Sequence, residues 1–140
     1  MKALSLTQPW ATLVALGAKR CETRSWSTPY RGELAIHASK GYPRWAQACA
    51  HEFRALGYLP PDEPLPLGVV VAIVELEYVK TTEEQVLLTT SEQEMALGDY
   101  GPGRYAWMLR LIERVPNIEA TGRLGLWDWH GSRALPVTSA

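Results

Sequence analysis

The chain has 140 residues, 46% of them hydrophobic and 21% charged, with a formal net charge of −1. That composition fits one globular domain and excludes a disordered polymer and a uniformly basic nucleic-acid binder. No apolar run approaches the roughly 20 residues of a membrane helix, and no signal-peptide core precedes Pro9, so a cytoplasmic, membrane-free protein is expected.

The elements follow in chain order. Pro9 suits the first position of a helix, and Trp10, Leu13, Val14 and Gly17 recur at helical spacing, with Gly17 placed to end it. Residues 19–26 alternate like a strand, 27–30 read as a turn, and 32–39 as a second strand. Pro43 opens a second helix whose apolar stripe is Trp45, Ala48, Cys49, Phe53 and Leu56, closed by Gly57. Four prolines make 59–68 a surface loop. Residues 68–79 form the strongest strand; counting by two from Val69 places Val71, Ile73, Glu75 and Glu77 on one face. Thr81 to Glu84 and Ser91 to Glu94 both have capping-box spacing, with Gly98 ending the second short helix. Residues 105–115 form a long strand, 126–129 a short one, and 131–140 a frayed tail. Strands outnumber helices without regular alternation, which predicts an α+β fold: a small mixed barrel with helices at its rim.

Charge is unevenly distributed. Residues 1–54 carry eight Lys and Arg against three Glu, while the remainder carries six against twelve acids. A basic front half attracts phosphate even in a near-neutral chain. The chain also has six Trp against one Phe. Trp45 is expected in the core, Trp107 and Trp127 in the packing of the closing strands, and Trp129 nearer the surface. Trp10 and Trp26 flank the segment 19–24 and are the candidates for stacking on a ligand.

Lys19, Glu22 and Glu75 are the candidate catalytic residues. Glu75 continues an inward apolar row into a carboxylate, which needs a cation or hydrogen bonds if it is buried. Lys19 and Glu22 point to opposite faces if the strand alternation is unbroken, and converge if it is broken. His37 reads as a satisfied core histidine. The Ser39-Lys40-Gly41 turn offers donors and a cation to an oxyanion or phosphate. Cys49-x-His51 lacks a second close pair, so no metal or other cofactor is expected. No nucleophile elbow, phosphate-binding loop or His-Glu-x-x-His signature is present.

Five segments together resemble the ASCH domain, a PUA-like family. They are 4–11, 17–24, 30–39, 103–107 and 125–127, and the most specific is Gly17-x-Lys19-x-x-Glu22-x-Arg24. The resemblance implies a β-barrel with a cleft beside the first helix and an RNA-related role. Lys19, Glu22, Arg24, Gln8 and Trp10 would line that cleft, with Arg31, Ser39 and Lys40 nearby. The expected ligand is RNA or a nucleotide. Some ASCH-like proteins are hydrolases. One group cleaves the amide of acetylated cytidine nucleosides with a lysine, a threonine three residues later and a glutamate on the central strand. Lys19 and Glu75 (or Glu77) match, but Glu22 stands at the threonine position, and a carboxylate is a poor substitute for an alkoxide nucleophile. Metal-assisted RNA cleavage, with Glu22 and Glu75 holding the ion, is a second alternative. A protein-interaction surface formed by exposed Trp is a third.

Overall fold

The computed structural model describes residues 1–88 and 90–131. The chain runs β1 (Lys2–Leu6), α1 (Trp10–Ala15), β2 (Cys21–Arg24), β3 (Gly32–Ala38), α2 (Arg44–Ala55), β4 (Val69–Thr81), α3 (Thr82–Leu87), α4 (Glu92–Leu97), β5 (Tyr105–Glu119) and β6 (Leu126–Asp128). The six strands form one mixed sheet in the order β2-β5-β4-β3-β1-β6. The β1–β3 pair is parallel, and the other pairs are antiparallel. Arg24, on the edge strand β2, reaches the main-chain oxygen of Ser5 on β1, near the opposite edge. The sheet is therefore curled into a half-barrel, as the α+β reading expected.

α1 fills the concave side. Ala11, Val14 and Ala15 pack there with Leu4, Leu34, Ile36, Val74, Leu76 and Trp107. The helix stops because Gly17 adopts a φ of +76°, and the main-chain N–H groups of both Ala18 and Lys19 then donate to the Leu13 carbonyl. On the opposite face of the sheet, Ala3, Ala35, Val70, Ile73, Val115, Trp127 and Trp129 form a second cluster. A third cluster joins the helices through Leu13, Ala50, Phe53 and Leu97.

Four sequence expectations need correction. The sequence pattern does not predict β1 as a strand; its Ala3 packs in one core and its Leu4 and Leu6 in the other, so neither face is uniformly polar. The face assignment on β4 fails because the β4–β5 register shifts between Val70 and Ala72. Val71 and Ala72 therefore both pack in the concave core, and Glu75 falls on the other face, beside Glu33 and Arg110 in the register. On α2 the buried residues are Ala46, Ala50 and Phe53, so the stripe is rotated and Trp45 is 61% exposed. Trp129, expected near the surface, is buried.

The capping box at Thr81 and Glu84 is formed as its spacing predicts, and the Ser91 hydroxyl accepts from the Glu94 N–H. Among the described residues no helix is long and apolar enough to cross a membrane. The expected tail lies outside the described residues beyond Gly131.

Candidate functional site

Lys19 precedes β2 rather than belonging to it, so the strand alternation does not govern its direction. Its side chain runs inward at 2% exposure. Nζ donates to the Cys21 carbonyl at 2.6 Å and to the Leu97 carbonyl at 3.3 Å, and lies 3.8 Å from Glu22 Oε1. The Leu97 carbonyl also accepts from Trp10 Nε1 at 2.8 Å. Gly98 permits this arrangement: a side chain there would meet the Tyr100 ring at 2.9 Å and Lys19 Nζ at 3.4 Å.

Glu22 and Arg24, two apart on β2, share one face. Their Oε2–Nε ion pair is 3.0 Å, and Arg24 Nη2 donates to the Ser5 carbonyl at 2.7 Å. Arg104 joins them because β2 pairs with the start of β5. Its Nη2 donates to the Thr23 carbonyl at 3.2 Å, and its Nε lies 3.5 Å from Asp99 Oδ2. These groups floor a cleft of about 850 Å³ whose wall is α2, with Trp45, Glu52 and Phe53. The lining cations are Lys19, Arg24 and Arg104 and the lining anions are Glu22, Glu52 and Asp99, so the cleft is charge-balanced.

The aromatic lining is substantial. Trp10 lies 5.7 Å from Trp45, tilted by 40°, and meets Phe53 edge-on at 6.0 Å. Trp26, also in the lining, stands edge-on to the buried Trp107 at 4.8 Å. Trp10 is anchored through its indole N–H, whereas Trp45 leaves most of its ring open.

A second groove, of about 1040 Å³, adjoins the first, and Ser5, Thr7 and Arg24 line both. Ser39 and Lys40 belong to this groove, together with His37, Gly122 and Arg123. His37 Nε2 bonds the Ala120 carbonyl at 2.8 Å and Nδ1 bonds Ser5 Oγ at 2.9 Å. Nε2 must carry the proton to reach a carbonyl, so Nδ1 accepts from the Ser5 hydroxyl. Burial lowers the His37 pKa from its ordinary 6.5, partly offset by the Ala120 bond. The unfolded chain therefore binds the extra proton first, and this contribution to stability is present above pH 6.5 and lost as pH falls below it. The denaturant midpoint is expected to fall from neutral to mildly acidic pH, and to fall less in His37→Gln. An equal fall in both proteins would remove His37 from the account.

Burial also pushes the Cys21 thiol up to about 11, which keeps it protonated and unreactive at neutral pH. The Glu94 carboxyl is likewise raised by burial, although it accepts from the Arg20 N–H at 2.5 Å.

A model of the ASCH domain matches residues 4–119.

The chain belongs to the ASCH domain family.

Human activating signal cointegrator 1 is 55% identical over 77 residues, which cover 52% of this chain and 13% of that protein. The mouse protein of the same name is 55% identical over 40 residues, covering 29% of this chain and 7% of that protein. The chain thus spans a small fraction of these curated relatives. An ASCH protein from Zymomonas mobilis superposes with a TM-score of 0.51 at 17% identity, over 84% of this chain and 72% of that one. A point variant of it superposes with a TM-score of 0.51 at 16% identity, over 84% and 74%. These likenesses concern the fold, which is PUA-like.

In this ASCH domain Lys19, Glu22, Arg24, Trp10 and Trp26 come together in the cleft. Ser39 and Lys40 stand in the adjoining groove. Four expected site residues lie elsewhere. Gln8 is fully buried; its Nε2 donates to Thr12 Oγ1 and the Pro66 carbonyl, and its Oε1 accepts from the Thr12 N–H. It pins the proline loop and offers a ligand nothing. Arg31 donates to the carbonyls of Thr28 and Tyr30 and lines neither cavity. Glu75 and Glu77 lie across the sheet from the cleft, and Glu77 pairs with Arg110 at 3.2 Å. The Glu22–Glu75 metal pair is therefore not assembled. Among the described residues no three His, Cys, Asp or Glu side chains converge in a way that could hold a metal ion.

Sequence reasoning missed Trp45, Glu52, Asp99 and Arg104 as cleft residues. Residue 104 directly precedes the strand predicted at 105–115, but only the β2–β5 register places Arg104 beside Thr23.

Proposed function

We propose that this ASCH domain binds single-stranded RNA or a nucleotide, with a base seated in the cleft between α2 and β2. The observation that carries this reading is the open Trp45 ring facing a charge-balanced cleft. Balanced walls favour an uncharged planar group, and an exposed indole face stacks on any base, typically for about 1–3 kcal/mol. The volume lies within the roughly 300–1,000 Å³ usual for ligand pockets. PUA-like and ASCH domains bind RNA in general, which agrees with this ligand class. Arg24 lies where the cleft meets the adjoining groove, and a phosphate contact there would position the strand without reading its sequence.

The hydrolytic alternatives have less support. Lys19 already donates to two carbonyls, and its expected partner Glu75 follows Ile73 by two on β4, on the far face of the sheet. Titration of the purified protein with short single-stranded RNA at low salt, read by tryptophan fluorescence, is expected to show saturable quenching. Absence of any spectral change and of any retained RNA would refute the reading.

A further inference from the structure

We infer that the groove beside the cleft is a phosphate track, so that the preferred ligand is a single-stranded oligonucleotide crossing from one cavity to the other rather than a lone nucleoside. This rests on the base-binding reading of the cleft. The two cavities differ in charge. The cleft balances three cations against three anions, whereas the groove carries Arg24, Lys40 and Arg123 against Glu119 alone. Lys40 and Arg123 make no side-chain hydrogen bond or ion pair within the described residues. Both are therefore available to an anion. Lys40 is also directed: its stem lies along Gly68, where a side chain would meet Cγ at 3.6 Å and Cε at 3.9 Å.

The groove offers main-chain donors as well. Within the described residues, none of the N–H groups of residues 121–125 donates to a main-chain carbonyl. This segment is held close over the floor. A side chain at Gly122 would fall 2.6 Å from His37 Cε1 and 2.7 Å from Ser5 Oγ. Trp127 Nε1 donates to the same Ser5 hydroxyl at 3.2 Å, and His37 bonds Ala120 just before the segment. Free N–H groups next to unpaired cations are the usual surroundings of a bound phosphate. The boundary between the cavities is Ser5, Thr7 and Arg24. Arg24 is pinned there by Glu22 and the Ser5 carbonyl, so it can meet the phosphate that links the stacked nucleotide to its neighbour.

Three cations contacting a single strand give a slope of about −2 for the logarithm of affinity against the logarithm of salt concentration. Between about 50 and 200 mM salt, the wild-type protein should lose about 20-fold in affinity for a short single-stranded RNA. The double variant Lys40→Gln, Arg123→Gln should lose only about 3-fold over that range, because Arg24 remains. At low salt the wild-type protein should also hold the RNA more tightly than the matching uncharged nucleoside. A wild-type slope in the double variant, or equal affinity for nucleoside and RNA, overturns the track and leaves the base site standing. Failure of wild-type protein to bind RNA at low salt overturns the base reading and the track with it. Displacement of the RNA by an acidic peptide but not by a second oligonucleotide reassigns the groove to a protein partner. Both substituted residues are exposed, so the double variant should fold.

Discussion

Replacing Lys19 with methionine is expected to lower the free energy of unfolding by about 3 kcal/mol, within the range for breaking a buried charge network. Methionine keeps most of the apolar stem, so the loss isolates the ammonium. That group donates to the Cys21 and Leu97 carbonyls and stands beside Glu22, at the point where the α1 turn, β2 and the end of α4 meet. Without it, the Cys21 carbonyl loses a donor at 2.6 Å, and the Leu97 carbonyl keeps only its bond from Trp10. For a domain of this size the loss corresponds to a fall of about 10 °C in Tm. Thermal unfolding of both proteins checks it. A fall of less than about 2 °C would show that the ammonium is not structural and would return Lys19 to the list of candidate chemical groups.

The second large effect concerns binding rather than stability. Trp45→Ala is expected to weaken RNA binding roughly 5- to 150-fold, the equivalent of one lost stacking contact. Its stability should change by no more than about 0.5 kcal/mol, because the ring is 61% exposed. Trp10→Ala makes the useful contrast. It removes the Leu97 hydrogen bond and the edge contact with Phe53, so it should reduce stability as well as affinity. Unchanged RNA affinity in the Trp45 variant, with fold and stability intact, would place the base somewhere other than this cleft.

Several features were legible in the residues alone because their causes are local. Gly17 ends α1 through its own backbone freedom, and Thr81 with Glu84 caps α3 within four residues of chain. The run 17–24 pointed to both the family and the Lys19–Glu22–Arg24 cluster. Other features depend on contacts far apart in the chain. The position of Glu75 turned on a register shift between β4 and β5, which moved its side chain to the face opposite the cleft. The helical stripe that Trp45 shares with Phe53 predicts a core position, yet the small residues Ala46 and Ala50 let α2 approach with a different face. The resemblance makes Gln8 a ligand-facing residue, but the Pro66 carbonyl of the proline loop takes one of its donors and Thr12 on α1 takes the other.

The amino-acid sequence by itself determined that the chain is a mixed α+β domain of the ASCH family, with a basic front half and an unusual number of Trp, because family motifs, caps and composition are properties of short segments. Only the tertiary structure decided which charges face one another. The curl of the sheet brings Arg24 against Ser5 and closes a balanced cleft. The segment 121–125, remote in sequence, comes over Ser5 and His37 in the adjoining groove, where Lys40 and Arg123 have no partner among the described residues. Electrostatic attraction acts through space, so a surplus of cations along the chain becomes a binding surface only where folding gathers them without their counter-charges.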